Sequence, residues 1–143
     1  MTAVTKGLQL NIPPHELREG YVQGQFSYVH CKATSWEKSL LLSLVDGMDA
    51  DKCNAKIRCF NYSEGSSPCY NMEWHTDVGD IHRIWVSSCP PEFKDFGRLE
   101  ASTIYEYGEA EHRAKPIEEA GLRMFARVSY VPKQRIGNRM ELR

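Results

Sequence analysis

Apolar and polar residues alternate in short runs along most of this chain, and the runs are separated by glycine, proline and aspartate. A period of two marks a strand with one buried face, because successive side chains point to opposite sides of the backbone. Residues 25–30 and 55–62 alternate in this way, the second around Ile57 and Cys59. Residues 40–45 form a short apolar run, and residues 70–77, 82–87, 103–107 and 122–131 complete the set. In the last of these, Arg123, Phe125 and Arg127 share one face, while Met124, Ala126 and Val128 share the other. β-branched and aromatic residues are frequent in the runs, as a pleated, half-buried surface prefers. Turn residues fall between them at Asp46-Gly47, Gly65-Ser66-Ser67-Pro68, Val78-Gly79-Asp80, Pro90-Pro91, Gly108 and Gly121.

Helix signals are weaker. Residues 34–38 and 116–120 each predict a single turn, and no segment sustains a 3.6-residue period. The pattern therefore predicts an all-β, mainly antiparallel domain with at most one or two short helices, of β-sandwich, jelly-roll or barrel type. One domain is expected over residues 1–143, with loose ends at residues 1–12 and 133–143.

Composition narrows the partners. A chain of 143 residues with 41% hydrophobic and 26% charged residues is long enough for one sizeable core. Its net charge of -1 supplies no basic field for nucleic acid. No apolar run approaches the roughly 20 residues of a membrane span. The N-terminal residues lack the apolar stretch of a signal peptide, so a cytoplasmic location is expected. The five cysteines are irregularly spaced and form no zinc knuckle, which predicts reduced thiols and no structural zinc site. A small-molecule or protein substrate is the expected partner. The edges of an open sheet are compatible with a homodimer.

The candidate chemistry lies in Trp74-His75-Thr76-Asp77 and in the distant Glu111-His112-Arg113. On a strand, His75 and Asp77 share a face, while Trp74 and Thr76 take the other. His112 supplies a third ligand. Two imidazoles and a carboxylate can occupy one face of an octahedral ion and leave positions open for co-substrate and dioxygen, the arrangement of non-haem Fe(II) oxygenases. His82, at the start of a predicted strand, is an alternative ligand or acid–base group, or a hydrogen-bonded strand-end residue. Arg123 and Arg127 on one strand face can grip a carboxylate through a bidentate fork, or belong to a solvated surface.

The stretch from Trp74 to Tyr130 resembles the 2-oxoglutarate- and Fe(II)-dependent oxygenase superfamily. The matching residues are His75-Thr76-Asp77, then His112-Arg113-Ala114-Lys115-Pro116, then the segment running from Gly121 through Arg123, Phe125 and Arg127 to Val128. The resemblance implies a double-stranded β-helix of jelly-roll or cupin type. It implies that His75, Asp77 and His112 hold Fe(II), and that Arg123 binds 2-oxoglutarate, with Arg127 as the reserve. Two other readings stay open. One is a cupin-like metalloprotein that does not use 2-oxoglutarate. The other is a non-catalytic β-sandwich that binds a small molecule or a protein.

Overall fold

The computed structural model describes residues 4–69 and 72–132. Its centre is a six-stranded antiparallel sheet made of β1 (Thr5–Gln9), β2 (Gly20–Gln25), β3 (Cys53–Tyr62), β4 (Ile81–Val86), β7 (Thr103–Tyr107) and β9 (Gly121–Tyr130). The strands lie in the order β1-β7-β4-β9-β3-β2, so the last strand in the chain sits in the middle. A second sheet consists of three two-residue strands, β5 (Glu92–Phe93), β6 (Gly97–Arg98) and β8 (His112–Arg113). Two helices, α1 (Phe26–Lys32) and α2 (Ser35–Val45), connect β2 to β3.

The mainly antiparallel β architecture agrees with the sequence pattern, but among the described residues the two sheets show no closed jelly roll or cupin barrel. The large sheet instead carries helices on one face. Residues 26–30 were expected as strand and residues 40–45 likewise; both are helical. The reason is local chemistry. Thr34 and Glu37 form a reciprocal capping box, Thr34 Oγ1 accepting from the Glu37 amide at 3.2 Å and Glu37 Oε1 from the Thr34 amide at 2.9 Å. Leu40, Leu41, Leu44 and Val45 then fall on one buried side at helical spacing. At the far end of α2, Arg83 donates to the carbonyls of Leu44 and Asp46, at 3.0 and 2.5 Å, satisfying groups the helix leaves open. The turn expected over residues 116–120 is irregular backbone.

Thr5–Gln9, expected within a loose end, pairs with β7 as an edge strand. Residues 133–143, the other expected loose end, lie outside the described residues. The strand Gly20–Gln25 was not expected; it pairs along its full length with β3.

Two cores result from the alternation of side chains. Cys53, Ala55, Ile57 and Cys59 of β3, with Met124, Ala126 and Val128 of β9, pack under the helices together with the fully buried Trp85. Trp85 packs at a tilt against Trp36, ring centroids 5.2 Å apart, and donates from Nε1 to the Leu10 carbonyl at 2.9 Å. On the opposite face, Ile84, Val86, Tyr105 and Tyr107 pack with Phe93 and Leu99. Beside this second core, the other set of β3 and β9 side chains lines a cavity.

Candidate metal centre and cavity

The cavity has a volume of about 300 Å³, at the lower end of small-molecule sites. Its wall is the face of β3 and β9 turned away from the helices. The register sets Lys56 opposite Arg127, Arg58 opposite Phe125, and Phe60 opposite Arg123. The residues of a cross-strand pair lie on the same face. Lys56, Arg58, Phe125, Arg123 and Arg127 all line the cavity.

His75 and His112 meet by a different device. They form an isolated antiparallel bridge, each amide donating to the other's carbonyl at 2.9 Å. The bridge makes them direct neighbours, with ring centroids 4.5 Å apart. The strand expected over residues 70–77 is reduced to this one bridge; Tyr70 and Asn71 lie outside the described residues. Here side chains take over from ladder pairing: the Glu73 carbonyl lies 2.8 Å from His75 Nδ1, and Asp77 is held through its carboxylate.

The ligand atoms of His75, Asp77 and His112 lie within 4.8 Å of one another. Cis ligands around an octahedral ion stand about 3 Å apart, so small side-chain rotations close the set. Both histidines have Nδ1 against a backbone carbonyl, His75 on Glu73 and His112 on Ala110 at 3.1 Å. A carbonyl only accepts, so each Nδ1 carries a proton, and the tautomer protonated at Nδ1 alone leaves Nε2 to bind a metal. This is how metal-binding histidines are commonly oriented.

The carboxylate is the most heavily engaged group. Asp77 Oδ2 accepts from the Tyr107 hydroxyl at 2.6 Å, pairs with Arg127 Nη1 at 3.0 Å and lies 3.3 Å from His112 Nε2. Burial pushes the Asp77 carboxyl up. The contacts with His112, Arg127 and Tyr107 outweigh it and hold the group well below the usual carboxylate range. Burial, reinforced by the Asp77 charge, pushes the Tyr107 hydroxyl well up, so it remains a donor. Burial works against the charge on Arg127, but Tyr107 and Asp77 keep it protonated.

Of the two arginines considered for anion binding, Arg127 therefore reaches the triad. Arg123 is buried and donates from Nε to the Ser88 carbonyl at 3.0 Å and from Nη2 to the Cys89 carbonyl at 3.1 Å. Its Nη1 has no hydrogen-bond partner among the described residues. His82 stands outside the metal cluster: it is fully buried, stacks on Tyr107 at 5.1 Å, and has Nδ1 2.8 Å from Ser129 Oγ. Trp74 turns away from the triad and packs against the guanidinium of Arg113 at 4.3 Å.

Sequence reasoning passed over Lys56 and Arg58. Both sit at alternate positions of a strand whose intervening residues are apolar, and that alternation was the available signal. Lys56 is half-buried and has no hydrogen-bond or ion-pair partner among the described residues. Burial, with Arg127 and Arg58 nearby, pushes its amine down to about 8. In the unfolded chain the same amine titrates near 10.4. Between these values the unfolded state binds more protons, so stability rises with pH. Below about 8 the charge is present in both states and its cost is undiminished. The Lys56→Gln variant is expected to be more stable than the parent chain at pH 7, with the difference shrinking from pH 8 to pH 10. Urea denaturation of both proteins across that range measures it; a constant difference would refute the cause.

Compared with protein-family models, with curated proteins and with solved structures, the chain matches none.

Proposed function

We propose that the cavity is the active site of a metal-dependent enzyme, in which His75, Asp77 and His112 hold one divalent ion. Fe(II) is the ion this donor set suits, because two imidazoles and one carboxylate on one face leave the opposite positions open. The observation that carries the reading is the convergence of two imidazoles, each with Nδ1 on a backbone carbonyl, and a carboxylate, with ligand atoms within 4.8 Å of one another. With both rings protonated at Nδ1 alone, the three groups would turn lone pairs on one another, an arrangement that a cation between them relieves. In keeping with the resemblance of the C-terminal half, the co-substrate proposed is 2-oxoglutarate and the reaction hydroxylation of an organic substrate. When bound, the ion would supply the site at which dioxygen is activated.

The chain's own residues have separable tasks in this reading. The carbonyls of Glu73 and Ala110 fix the imidazole tautomers. Tyr107 and Arg127 orient the carboxylate and keep it ionised. Arg123 Nη1 and Arg127 supply positive charge for a co-substrate carboxylate. Phe125, Ile84 and Pro91 give the cavity apolar walls that exclude water.

A second reading draws on the 3.3 Å contact between His112 Nε2 and Asp77. A proton on His112 satisfies that contact as well as a metal does. His112 would then work as a general acid or base oriented by Asp77, without an ion. Anaerobic titration of the metal-free protein with Fe(II), then with 2-oxoglutarate, separates the two. The metal reading expects one equivalent of Fe(II) and a visible absorption band that needs both additions. His75→Ala is expected to abolish iron uptake while the protein stays folded. No stoichiometric iron in the parent protein would overturn the metal reading and leave the acid–base pair. Iron uptake with no such band would remove 2-oxoglutarate.

A further inference from the structure

We infer that Lys56 and Arg58 form an anion subsite in the cavity, distinct from the metal ligands, that receives a carboxylate or phosphate group of the substrate. This deepens the reading above and rests on that reading placing the substrate in this cavity.

Among the described residues, four cations, Lys56, Arg58, Arg123 and Arg127, line the cavity, and Asp77 is the one acid there. Two of the four have partners within the protein. Arg127 pairs with Asp77, and Arg123 holds the carbonyls of Ser88 and Cys89. Lys56 and Arg58 have no hydrogen-bond or ion-pair partner among the described residues. Lys56 nevertheless sits directly opposite Arg127 on the neighbouring strand. Like charges in such a pair are destabilising, and an anion bound between them removes the cost.

Arg58 is prepared for the same purpose. Its guanidinium lies 5.7 Å from the Phe60 ring and 5.9 Å from the Tyr21 ring. Contacts with aromatic rings place the cation while leaving its N–H donors unspent. The Lys56 ammonium lies 5.8 Å from the Phe125 ring in the cavity wall. An anion reaching both side chains would have the remainder of its carbon frame against Phe125 and Ile84. The substrate class that fits is a small organic acid or phosphate ester with an apolar body.

Two probes distinguish the anion chemistries: inorganic phosphate, and benzoate as a carboxylate on an apolar ring. Each is titrated calorimetrically into the full chain. Saturable binding of at least one is expected, and the better of the two identifies the preferred group. Lys56→Gln combined with Arg58→Gln is expected to weaken that binding roughly tenfold or more, the loss of charge-assisted hydrogen bonds. His75→Ala is expected to leave it unchanged. Lys56→Gln alone is expected to weaken the same binding and to melt no lower than the parent protein, so lost binding in that variant is not a folding failure. Undiminished affinity in the double variant, or no saturable binding of either probe to the parent protein, would overturn the subsite. Iron uptake is scored separately. A protein that takes up iron but ignores both probes keeps the metal reading and loses this one; a protein that binds a probe through Lys56 but takes up no iron does the reverse.

Discussion

Replacing Asp77 with alanine is expected to cost the fold roughly 3–5 kcal/mol, the penalty for breaking a buried pair from one side. The loss is large because one carboxylate oxygen serves three groups. Without it, the Tyr107 hydroxyl has lost its acceptor in a site that is almost fully buried, and Arg127 has lost its counter-charge among other cations. Desolvation of those groups is then uncompensated. Asp77→Asn keeps a carbonyl oxygen that accepts from both donors, so about 1–2 kcal/mol is expected. The same two variants test function differently. Neither is expected to take up iron at stoichiometric level, because a neutral amide is a poor ligand beside two histidines. Urea denaturation and metal analysis together check this. If Asp77→Ala unfolds at the parent midpoint, the three contacts carry no net energy and the electrostatic account of the site is wrong.

Gly79→Ala should be nearly as damaging, at about 2–4 kcal/mol, although the change adds one methyl group. Gly79 lies in the turn between Asp77 and β4, with φ of +132°, which side-chain-bearing residues rarely adopt. A Cβ there would stand 2.9 Å from His82 Cε1 and 2.9 Å from Val131 Cγ1. His82 is fully buried and bonded to Ser129, so it has little room to give way. The backbone must move instead, and Asp77 is two residues away. Reduced iron affinity is therefore expected alongside reduced stability. Adding Val131→Ala removes one of the two clashes and is expected to restore part of the loss, whereas the φ strain remains. Full recovery in the double variant would show that the backbone conformation costs nothing. No loss in the single variant would show that the turn is loose.

The residues that form the candidate centre are legible in the sequence, and the scaffold that holds them is less so. His75, Asp77 and His112 were selected as ligand types with a plausible spacing, and the fold brings all three together. The imagined means was wrong in detail. A strand was expected to align His75 with Asp77; a single bridge between His75 and His112 and a set of side-chain bonds do so instead. The helices were hidden for a physical reason. Residues 40–45 are consecutive apolar residues broken once by Ser43, and so short a run has no readable period. The capping box three residues upstream was the better guide. The strands at 103–107 and 122–131 were read correctly to within a residue, because their alternation is long or aromatic enough to persist. The cationic wall emerged only with the register, since Lys56 and Arg127 are far apart in sequence and adjacent in space.

The central pair of strands has a further consequence for how this protein can change. Along β3 and β9, the odd positions 53–59 of one and the even positions 122–130 of the other belong to the helix-covered core, whereas Lys56, Arg58, Tyr62, Arg123, Phe125 and Arg127 on the other face line the cavity. The two sets interleave in sequence but do not share a face. Lys56, Arg58 and Phe125 can therefore be exchanged to suit a new ligand without disturbing the side chains that hold the fold together. A slip of one residue in the pairing, by contrast, would exchange the two sets wholesale, driving arginines under the helices and methionine and valine into the cavity. Selection on such a chain would be tolerant of substitution on one side of these strands and intolerant of any insertion or deletion within them.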